Sequence, residues 1–338
     1  MNLNRFACLA LGGACVLARA SAGGMAGLGP EDFSFDLRAA RNMVADSPYA
    51  PDSAGERLAF ETNATNLILT VRYARRNGMP DHKYVLDAGE WRVDGRLEME
   101  FSRPAREDGE RTVALSLDGP QRMRRHEILL PLADQAEFLK LAADAGSTAC
   151  RACPPAPRTL VAYGDSITQG FFATRPSCAY PARLAQATGW NVLNLGFCGR
   201  KTTPRDALAI AALKPDGIIV MMGVNDAIFG TDPDTFCSRY LAFLVAIARN
   251  CPGTPVWVVT PTSATGRKYK TGNLEEYRNA IRDSVAKLGP PFHLLEGPDL
   301  LPARSELFAD GLHPNDPGFE VLARALEAAL RNEPAFRP

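Results

Sequence analysis

Short apolar runs alternate with amphipathic stretches from residue 159 onward, and this alternation restricts the fold more than any other feature. The β-branched, apolar runs lie at 159–163, 192–195, 217–222, 256–260 and 292–295. Between them lie helical patterns such as 273–288, in which Asn273 is a suitable cap and the apolar residues share one face. The last helix is expected after Asn315, with Pro317 in its first turn. Alternation of this kind predicts a doubly wound, parallel α/β domain over residues 159–338.

The preceding part of the chain has the pattern of an antiparallel β structure. Short segments from about residue 57 to 143 alternate apolar and polar positions, as at Leu67, Leu69 and Val71. Turn dipeptides such as Asp118-Gly119 separate these segments. The sequence predicts a β-sandwich domain over residues 23–148, and residues 149–158, rich in proline and cysteine, are interpreted as a linker.

The N-terminus has the features of a signal peptide. Arg5 precedes a small-residue apolar run at 6–18, and Ala20-Ser21-Ala22 matches a cleavage site. We therefore expect residues 1–22 to direct export to the periplasm or the medium, although a disordered N-terminus or one packed in the core is an alternative. No apolar run is long enough to span a membrane. The formal net charge of zero argues against a nucleic-acid partner.

Six cysteines remain after residue 22, an even number that suggests disulfides in an exported protein. Cys178 and Cys198 flank two loops that are expected to converge, so a bridge between them is predicted. Buried thiols are the alternative for Cys237 and Cys251. A zinc site or a redox motif at Cys150-Arg-Ala-Cys153 is disfavoured, because no second ligand pair follows and no helix begins there.

Polar side chains follow three of the predicted parallel strands. Ser166 follows the first strand, Gly199 the second and Asn225 the third. The carboxyl ends of parallel strands meet at one edge of a sheet, which is where ligands bind in this class of fold. The motif Asp310-Gly311-Leu312-His313 precedes the last helix, which can return it to that edge. We therefore expect these residues to form one site.

Ser166 is the candidate nucleophile, and a serine hydroxyl needs a neighbouring base in order to attack a carbonyl carbon. Only His313 lies in a loop with a carboxylate three residues earlier, and Asp310 can accept a hydrogen bond from its ring. Taken alone, the 310–313 motif could equally be a turn before a helix. The other histidines lie where packing or solvated roles are expected: His82, His126 and His293.

Hydrolysis also requires hydrogen-bond donors for the oxyanion of the tetrahedral intermediate. The candidates are the N–H groups of Ser166 and Gly199 and the side-chain amide of Asn225. Glycine at position 199 permits an unusual backbone conformation, although a simple turn glycine is the alternative. Asn225 followed by Asp226 could equally be a helix cap, and Asp226 is interpreted as one. Asp165 is interpreted as a residue that orders the nucleophile loop.

The four motifs together resemble the signature blocks of the SGNH (GDSL-type) hydrolases. The matching segments occur in the order of that family: Gly164-Asp165-Ser166-Ile167-Thr168, Asn194 to Gly199, Gly223-Val224-Asn225-Asp226 and Asp310-Gly311-Leu312-His313. The resemblance implies that Ser166 is the nucleophile, that His313 and Asp310 form the base pair, and that Gly199 and Asn225 are oxyanion donors. It also implies an enzyme that acts on esters or thioesters with no metal and no other cofactor.

A β domain followed by an SGNH domain is similar to the jelly-roll plus hydrolase layout of carbohydrate esterase family 2 and related bacterial acetylesterases. Many family 2 esterases lack the motif aspartate and use a Ser-His dyad, whereas Asp310 is present here. Cys198 stands where the wider family often has serine. Because Gly199 would contribute its backbone N–H, we expect this exchange to leave the site intact.

These observations together predict an exported serine esterase that removes O-acetyl or other short acyl groups from a carbohydrate or polysaccharide. Trp91 could stack on a sugar, but a buried core position is favoured. One alternative keeps the chemistry and changes the substrate, as in a lysophospholipase or thioesterase. The other alternative is a carbohydrate-binding protein without catalytic activity.

Overall fold

A computed structural model describes residues 27–28, 36–44, 46–74, 88–102, 108–144, 147, 150–153, 156–266 and 273–332. The predicted signal peptide, residues 1–22, lies outside this part of the chain. Three sheets are present in the described residues, two antiparallel and one parallel.

The two antiparallel sheets contain the first nine strands. These are β1 (Gly27–Leu28), β2 (Arg57–Thr62), β3 (Asn66–Ala74), β4 (Ala88–Val93), β5 (Arg96–Ser102), β6 (Gly109–Ser116), β7 (Arg124–Leu129), β8 (Gln135–Ala143) and β9 (Cys150–Ala152). One sheet has the strand order β1-β8-β3-β6 and the other has β5-β4-β7-β2-β9. Leu69 of the first sheet and Phe60 and Trp91 of the second belong to one buried cluster. The sheets therefore pack face to face, as in the predicted β-sandwich.

Trp91 lies inside this sandwich and not on its surface. Its side chain is fully buried, and its indole N–H donates to His126 Nδ1 at 3.1 Å. The expectation that Trp91 packs in the core is correct, so this tryptophan cannot stack on a bound sugar.

The predicted linker at residues 149–158 contains regular structure. Strand β9 pairs with Phe60–Thr62 of β2 and becomes the edge of that sheet. An extended segment beside an unpaired sheet edge gains backbone hydrogen bonds by joining the sheet. The proline- and cysteine-rich composition of the segment gave no sign of this pairing. The domain boundaries at residues 148 and 159 stay predictions.

The parallel sheet holds the remaining strands in a doubly wound order. They are β10 (Thr159–Gly164), β11 (Asn191–Gly196), β12 (Gly217–Met221), β13 (Val256–Val259) and β14 (Phe292–Leu295), in the spatial order β11-β10-β12-β13-β14. Every residue of β12 and β13 is buried, as expected for central strands with helices on both faces. From β10 the chain adds β11 on one side of the sheet and then β12 on the other, so the topological switch point lies between β10 and β12. Ligands bind at this point in such folds.

The helices begin at the residues that the sequence favours. They are α1 (Asp36–Asn42), α2 (Ser166–Gln169), α3 (Tyr180–Thr188), α4 (Ala207–Ala212), α5 (Val224–Ile228), α6 (Pro233–Asn250), α7 (Leu274–Leu288), α8 (Gly297–Leu300) and α9 (Asp316–Leu330). Asn273 caps α7 by accepting from the Glu275 N–H at 2.9 Å, and Asn315 caps α9 by accepting from the Gly318 N–H at 3.0 Å. In the described ranges, no helix is long and apolar enough to cross a membrane.

The predicted disulfide between Cys178 and Cys198 is wrong, because no disulfide joins these residues. Cys178 lies in a 3-10 turn, with its sulfur 3.9 Å from Thr174 Oγ1 and 3.8 Å from Arg175 Nη2. Cys198 belongs to a different loop, where its backbone N–H donates to Gln169 Oε1 at 2.8 Å. Each cysteine is held in its own loop by neighbours that the motif positions did not reveal.

Candidate active site

The loop after β10 presents Ser166 at the start of a very short helix. Asp165 caps α2 by accepting from the Ile167 N–H at 3.0 Å, so it orders this loop as expected. Burial raises the pKa of Asp165 to about 6. A Cβ atom on Gly164 would lie 2.0 Å from Thr168 Oγ1, so the close return of the helix onto the strand requires glycine.

His313 lies within hydrogen-bonding distance of Ser166. His313 Nε2 is 2.8 Å from Ser166 Oγ, and His313 Nδ1 is 2.9 Å from Asp310 Oδ2. Asp310 Oδ1 accepts from the N–H groups of Leu312 at 3.0 Å and His313 at 2.8 Å. Burial alone would raise the pKa of Asp310, but the hydrogen bonds from His313 and Leu312 hold it well below its usual range. An ionised Asp310 accepts only, so Nδ1 carries the ring proton and Nε2 can accept from the serine hydroxyl.

Two aromatic rings cover the imidazole of His313. The ring centroids of Phe171 and Phe172 lie 6.0 Å and 5.3 Å from the centroid of the His313 ring. Phe172 has a φ of +69°, which is uncommon for a residue with a side chain. These rings form an apolar wall beside the His313 imidazole and limit its contact with water.

The loop after β11 presents Gly199 in the conformation that its residue type favours. Gly199 has a φ of +69°, and a Cβ atom there would meet nothing within 4 Å. In the part of the chain that the structure describes, the N–H groups of Ser166 and Gly199 have no acceptor. Both donors can therefore bind an oxyanion without breaking an existing hydrogen bond.

Asn225 lies in α5, directly after β12, and its side chain is turned towards the Gly199 loop. Its Nδ2 donates to the Arg200 carbonyl oxygen at 3.2 Å. A side-chain amide has two N–H donors, so the second can serve another acceptor. Asn225 is only 6% exposed, which places this donor in a site with little water.

A buried charge cluster supports the residue after Gly199, and the sequence reading missed it. Arg200 pairs with Asp206 through Nε at 2.7 Å and Nη2 at 2.5 Å, and the Tyr163 hydroxyl donates to the same carboxylate at 2.5 Å. The only sequence signal was the position of Arg200 next to the proposed donor.

The interpretation of Asp226 as a helix cap is wrong. Gly223 occupies the cap position of α5, and Asp226 lies inside the helix, buried and paired with Arg239. Asp226 follows an Asn in the motif, and an Asn-Asp pair is typical of helix starts. The start of the helix was therefore predicted a few residues too late in the sequence.

The structure thus brings Ser166, His313 and Asp310 together at the carboxyl edge of the parallel sheet, with Gly199 on the loop after β11 and Asn225 in the first turn of α5. The loops are tied to one another directly, since the Phe197 N–H donates to the Gly164 carbonyl oxygen at 3.0 Å. This arrangement has the parts of an acyl-transfer site: a hydroxyl, a base, an orienting carboxylate and free donors. The roles of the individual residues remain predictions.

Comparison with known proteins agrees with this arrangement. The sequence profile described as "GDSL-like Lipase/Acylhydrolase family" matches residues 162–321. A search of curated proteins finds no similar sequence. Among solved structures, the salicylyl-acyltransferase SsfX3 from a tetracycline biosynthetic pathway has a TM-score of 0.78 at 22% identity, covering 94% of this chain and all of that one.

Two carbohydrate esterases are also similar. A family two carbohydrate esterase from Clostridium thermocellum, solved with cellohexaose, has a TM-score of 0.63 at 17% identity and covers 82% of this chain and 91% of its own. The acetyl xylan esterase Est2A from Butyrivibrio proteoclasticus has a TM-score of 0.62 at 15% identity and covers 83% and 90%. At these identities the similarity establishes the fold. Residues 162–321 match the profile of the GDSL-like lipase/acylhydrolase family, and with this match the chain is a carboxylic ester hydrolase.

Proposed function

We propose that this chain is an exported serine esterase that removes acetyl or other short acyl groups from carbohydrate. The contact between Ser166 Oγ and His313 Nε2 at 2.8 Å, with Asp310 on the far side of the ring, is the observation that carries the proposal. It gives the serine hydroxyl a base in position for nucleophilic attack.

The proposed reaction proceeds through an acyl-enzyme. Ser166 Oγ attacks the ester carbonyl carbon while its proton moves to His313 Nε2, and Asp310 stabilises the imidazolium. The carbon–oxygen bond to the sugar then breaks, and His313 returns the proton to the departing sugar oxygen. Water next gives a proton to His313 and attacks the acyl carbon. The bond from this carbon to Ser166 Oγ then breaks, and His313 returns the proton to Oγ, which releases the acid and restores Ser166.

The oxyanion that forms in both steps would be held by three donors. These are the N–H groups of Ser166 and Gly199 and the side-chain amide of Asn225. Because the charge exists only in the tetrahedral state, each donor would lower the barrier by roughly 3 kcal/mol without strengthening substrate binding.

Two observations support a short acyl group on a sugar. The rings of Phe171 and Phe172 stand within about 6 Å of the base, and such a wall favours a small acyl substituent. The family two esterase and Est2A match more than 80% of this chain, so the similarity extends over the sandwich as well as the hydrolase part. A sandwich beside the site would support the cleft or hold the polysaccharide.

Acyl transfer to an alcohol is a second candidate, because SsfX3, an acyltransferase, matches 94% of this chain. Transfer would use the same acyl-enzyme and would differ only in its last step, where a hydroxyl group of an acceptor replaces water. The two outcomes differ in product, not in the first half of the reaction.

The first test is initial rates on p-nitrophenyl acetate, butyrate and octanoate, with wild type, Ser166→Ala and Ser284→Ala side by side. Ser284 is a matched control because its hydroxyl donates to the Ala280 carbonyl oxygen within α7. We expect a loss of at least ~1000-fold in kcat in Ser166→Ala only, and a rate that falls with chain length. Product analysis with added alcohols then separates hydrolysis from transfer.

Rates that rise with chain length would favour the lysophospholipase or thioesterase alternative. Absence of any serine-dependent turnover would favour the binding protein. Export is tested separately, by expressing the full chain with its own N-terminus in a bacterial host and determining the mass of the secreted form. A product that begins after Ala22 is expected, and retention of residues 1–22 would contradict the signal-peptide interpretation.

A further inference from the structure

Arg41 lies in α1, in the part of the chain that precedes the α/β domain, but it contacts the loop of the proposed oxyanion hole. Its side chain is fully buried. Nη1 donates to the carbonyl oxygens of Asn194 and Gly196, both at 3.0 Å, and the guanidinium lies 4.5 Å from the centroid of the Phe197 ring. These acceptors form the end of β11 and the start of the loop that carries Gly199.

The same guanidinium also fixes the segment that follows α1. Its Nε donates to the Asp52 carbonyl oxygen and its Nη2 to the Tyr49 carbonyl oxygen, both at 2.9 Å. A planar group with five N–H donors can join several carbonyl oxygens from two segments at once, which an ammonium group cannot. Burying such a charge is costly unless its donors are used, so these bonds define one arrangement of the two segments.

Gln169 extends this network from the nucleophile helix. Its Nε2 donates to Asp52 Oδ2 at 2.6 Å and to the Leu132 carbonyl oxygen at 3.0 Å. Its Oε1 accepts from the Cys198 N–H at 2.8 Å. Cys198 immediately precedes Gly199, so the amide of Gln169 sets the orientation of the peptide units next to the proposed donor.

We propose that Arg41, with Asp52 acting through Gln169, positions the Gly199 N–H for the oxyanion. This inference rests on the proposed function, since it assumes that Gly199 is a donor. Arg41 holds the start of the loop through the Gly196 carbonyl oxygen and the Phe197 ring, and Gln169 accepts from the N–H of Cys198, the residue before Gly199. The α/β part of the chain therefore depends on residues 41–52 for the geometry of its own site.

The network fits a positioning role more closely than a general packing role. Gln169 and Arg41 bind the loop through backbone groups of the residues that lead up to Gly199. Within the described residues, the Gly199 N–H itself has no acceptor. A Cβ atom on Gly55 would lie 2.6 Å from Asn194 Cβ, so the 49–56 segment also packs tightly against β11. A shift of the loop by about 1 Å is enough to cost ~100-fold in rate when catalysis depends on a placed donor.

The test compares Arg41→Met and Arg41→Lys with Arg38→Met. Arg38 is the matched control, because it lies on the same helix and pairs with Glu56 at 2.6 Å, away from the loop that carries Gly199. We expect kcat on p-nitrophenyl acetate to fall ~100-fold in Arg41→Met and ~10-fold in Arg41→Lys, with KM within twofold, since the lost interaction acts in the transition state. Arg38→Met is expected to lose stability but to keep kcat within threefold.

Two further measurements distinguish positioning from a structural role. The inhibition constant of methylboronic acid, which forms a tetrahedral adduct with a serine, should rise by the same factor as kcat falls. If Arg41→Met does not fold, Asp52→Asn is the second test, because it keeps the contacts that Arg41 makes with the backbone. It should lower kcat by a smaller factor and leave KM unchanged. Folded Arg41→Lys and Asp52→Asn with wild-type kcat and inhibition constants would overturn the proposal.

Failure of the proposed function would have a different signature. Turnover that persists in Ser166→Ala would remove the acyl-enzyme mechanism and, with it, the role of Gly199. Serine-dependent turnover that is insensitive to Arg41 and Asp52 would remove only the positioning role.

Discussion

The loop of residues 310–313 takes its shape from its own hydrogen bonds, whereas the loop of residues 197–200 is shaped by residues far away in the sequence. In the first, Asp310 binds two backbone N–H groups and a ring within three residues of itself. In the second, Arg41 and Gln169 supply the contacts from 155 and 29 positions away. We refer to the two as the base loop and the oxyanion loop.

This difference has a consequence for how each loop responds to change. The base loop has a contact with a distant segment, the Thr265 N–H that donates to the Gly311 carbonyl oxygen at 2.6 Å, but the position of its histidine depends on its own carboxylate. The oxyanion loop can be disturbed from the N-terminal segment, from α2 or from α5, where Asn225 binds the Arg200 carbonyl oxygen. Substitutions in the two loops should therefore separate effects on the base from effects on the donors.

The largest effect is expected from Asp310→Asn. The asparagine keeps an oxygen for the backbone N–H groups of the loop but turns an NH₂ group towards His313, so Nε2 would carry the proton and could not act as a base. We expect kcat to fall by roughly 1000-fold or more, with thermal stability close to wild type. Asp310→Ala should lose both activity and the loop hydrogen bonds. A loss below tenfold in Asp310→Asn would show that Ser166 and His313 suffice as a dyad.

A smaller effect is expected from Asn225→Ala in the oxyanion site. Loss of one of three donors should lower kcat by ~100-fold and leave KM unchanged, since the donor acts on the transition state. Asn250→Ala is the matched control, because its amide donates to the Ala246 carbonyl oxygen at the exposed end of α6. A rise in KM with kcat unchanged in Asn225→Ala would instead place this residue in ground-state binding.

Gly199→Ala and Gly311→Ala compare the loops through the same substitution. Both glycines have a positive φ, +69° and +79°. A Cβ atom at Gly311 would lie 2.3 Å from the Thr265 carbonyl oxygen, whereas at Gly199 it meets nothing within 4 Å. We expect Gly199→Ala to cost ~1 kcal/mol of stability and ~10-fold in kcat through backbone conformation alone. Gly311→Ala should be the less stable variant, as measured by urea unfolding; the reverse order would contradict the clash.

The sequence predicted the parallel sheet and the base loop well, because both depend on local patterns. The five buried runs lie within one or two residues of strands β10 to β14, and Asn273 and Asn315 cap their helices. Asp310 and His313 are three residues apart, so their pairing follows from spacing. Local periodicity and local hydrogen bonds are the information that a single sequence carries most directly.

The contacts that cross the molecule could not be predicted in this way. Arg41 lies in a segment without a motif, and nothing in its neighbourhood indicates that it binds the end of β11. The same limit explains the wrong bridge between Cys178 and Cys198, since the approach of two loops does not fix where their side chains point. Contacts of this kind depend on how the sandwich packs on the α/β layer, and one sequence does not encode that in a readable pattern.

The smallest effect at neutral pH, and the last test of the comparison, concerns acid stability. Burial lowers the pKa of His126, inside the sandwich, to about 4 from the usual 6.5. Between pH 6.5 and 4 the unfolded chain then binds a proton that the folded chain does not, so stability falls as the pH is lowered through this range. Asp310 has a depressed pKa, so its contribution is lost only at lower pH, below about 4. Asp165, whose pKa burial raises to about 6, contributes with the opposite sign over part of the same range, so the contribution of His126 is the difference between wild type and variant. We therefore expect the free energy of unfolding of His126→Gln in urea to rise relative to that of the wild type as the pH falls from 6.5 to 4.5, with no change in kcat at pH 7. If the free energy of unfolding changes with pH in the same way in the variant and the wild type, the acid sensitivity arises in the active-site loops and not in the sandwich.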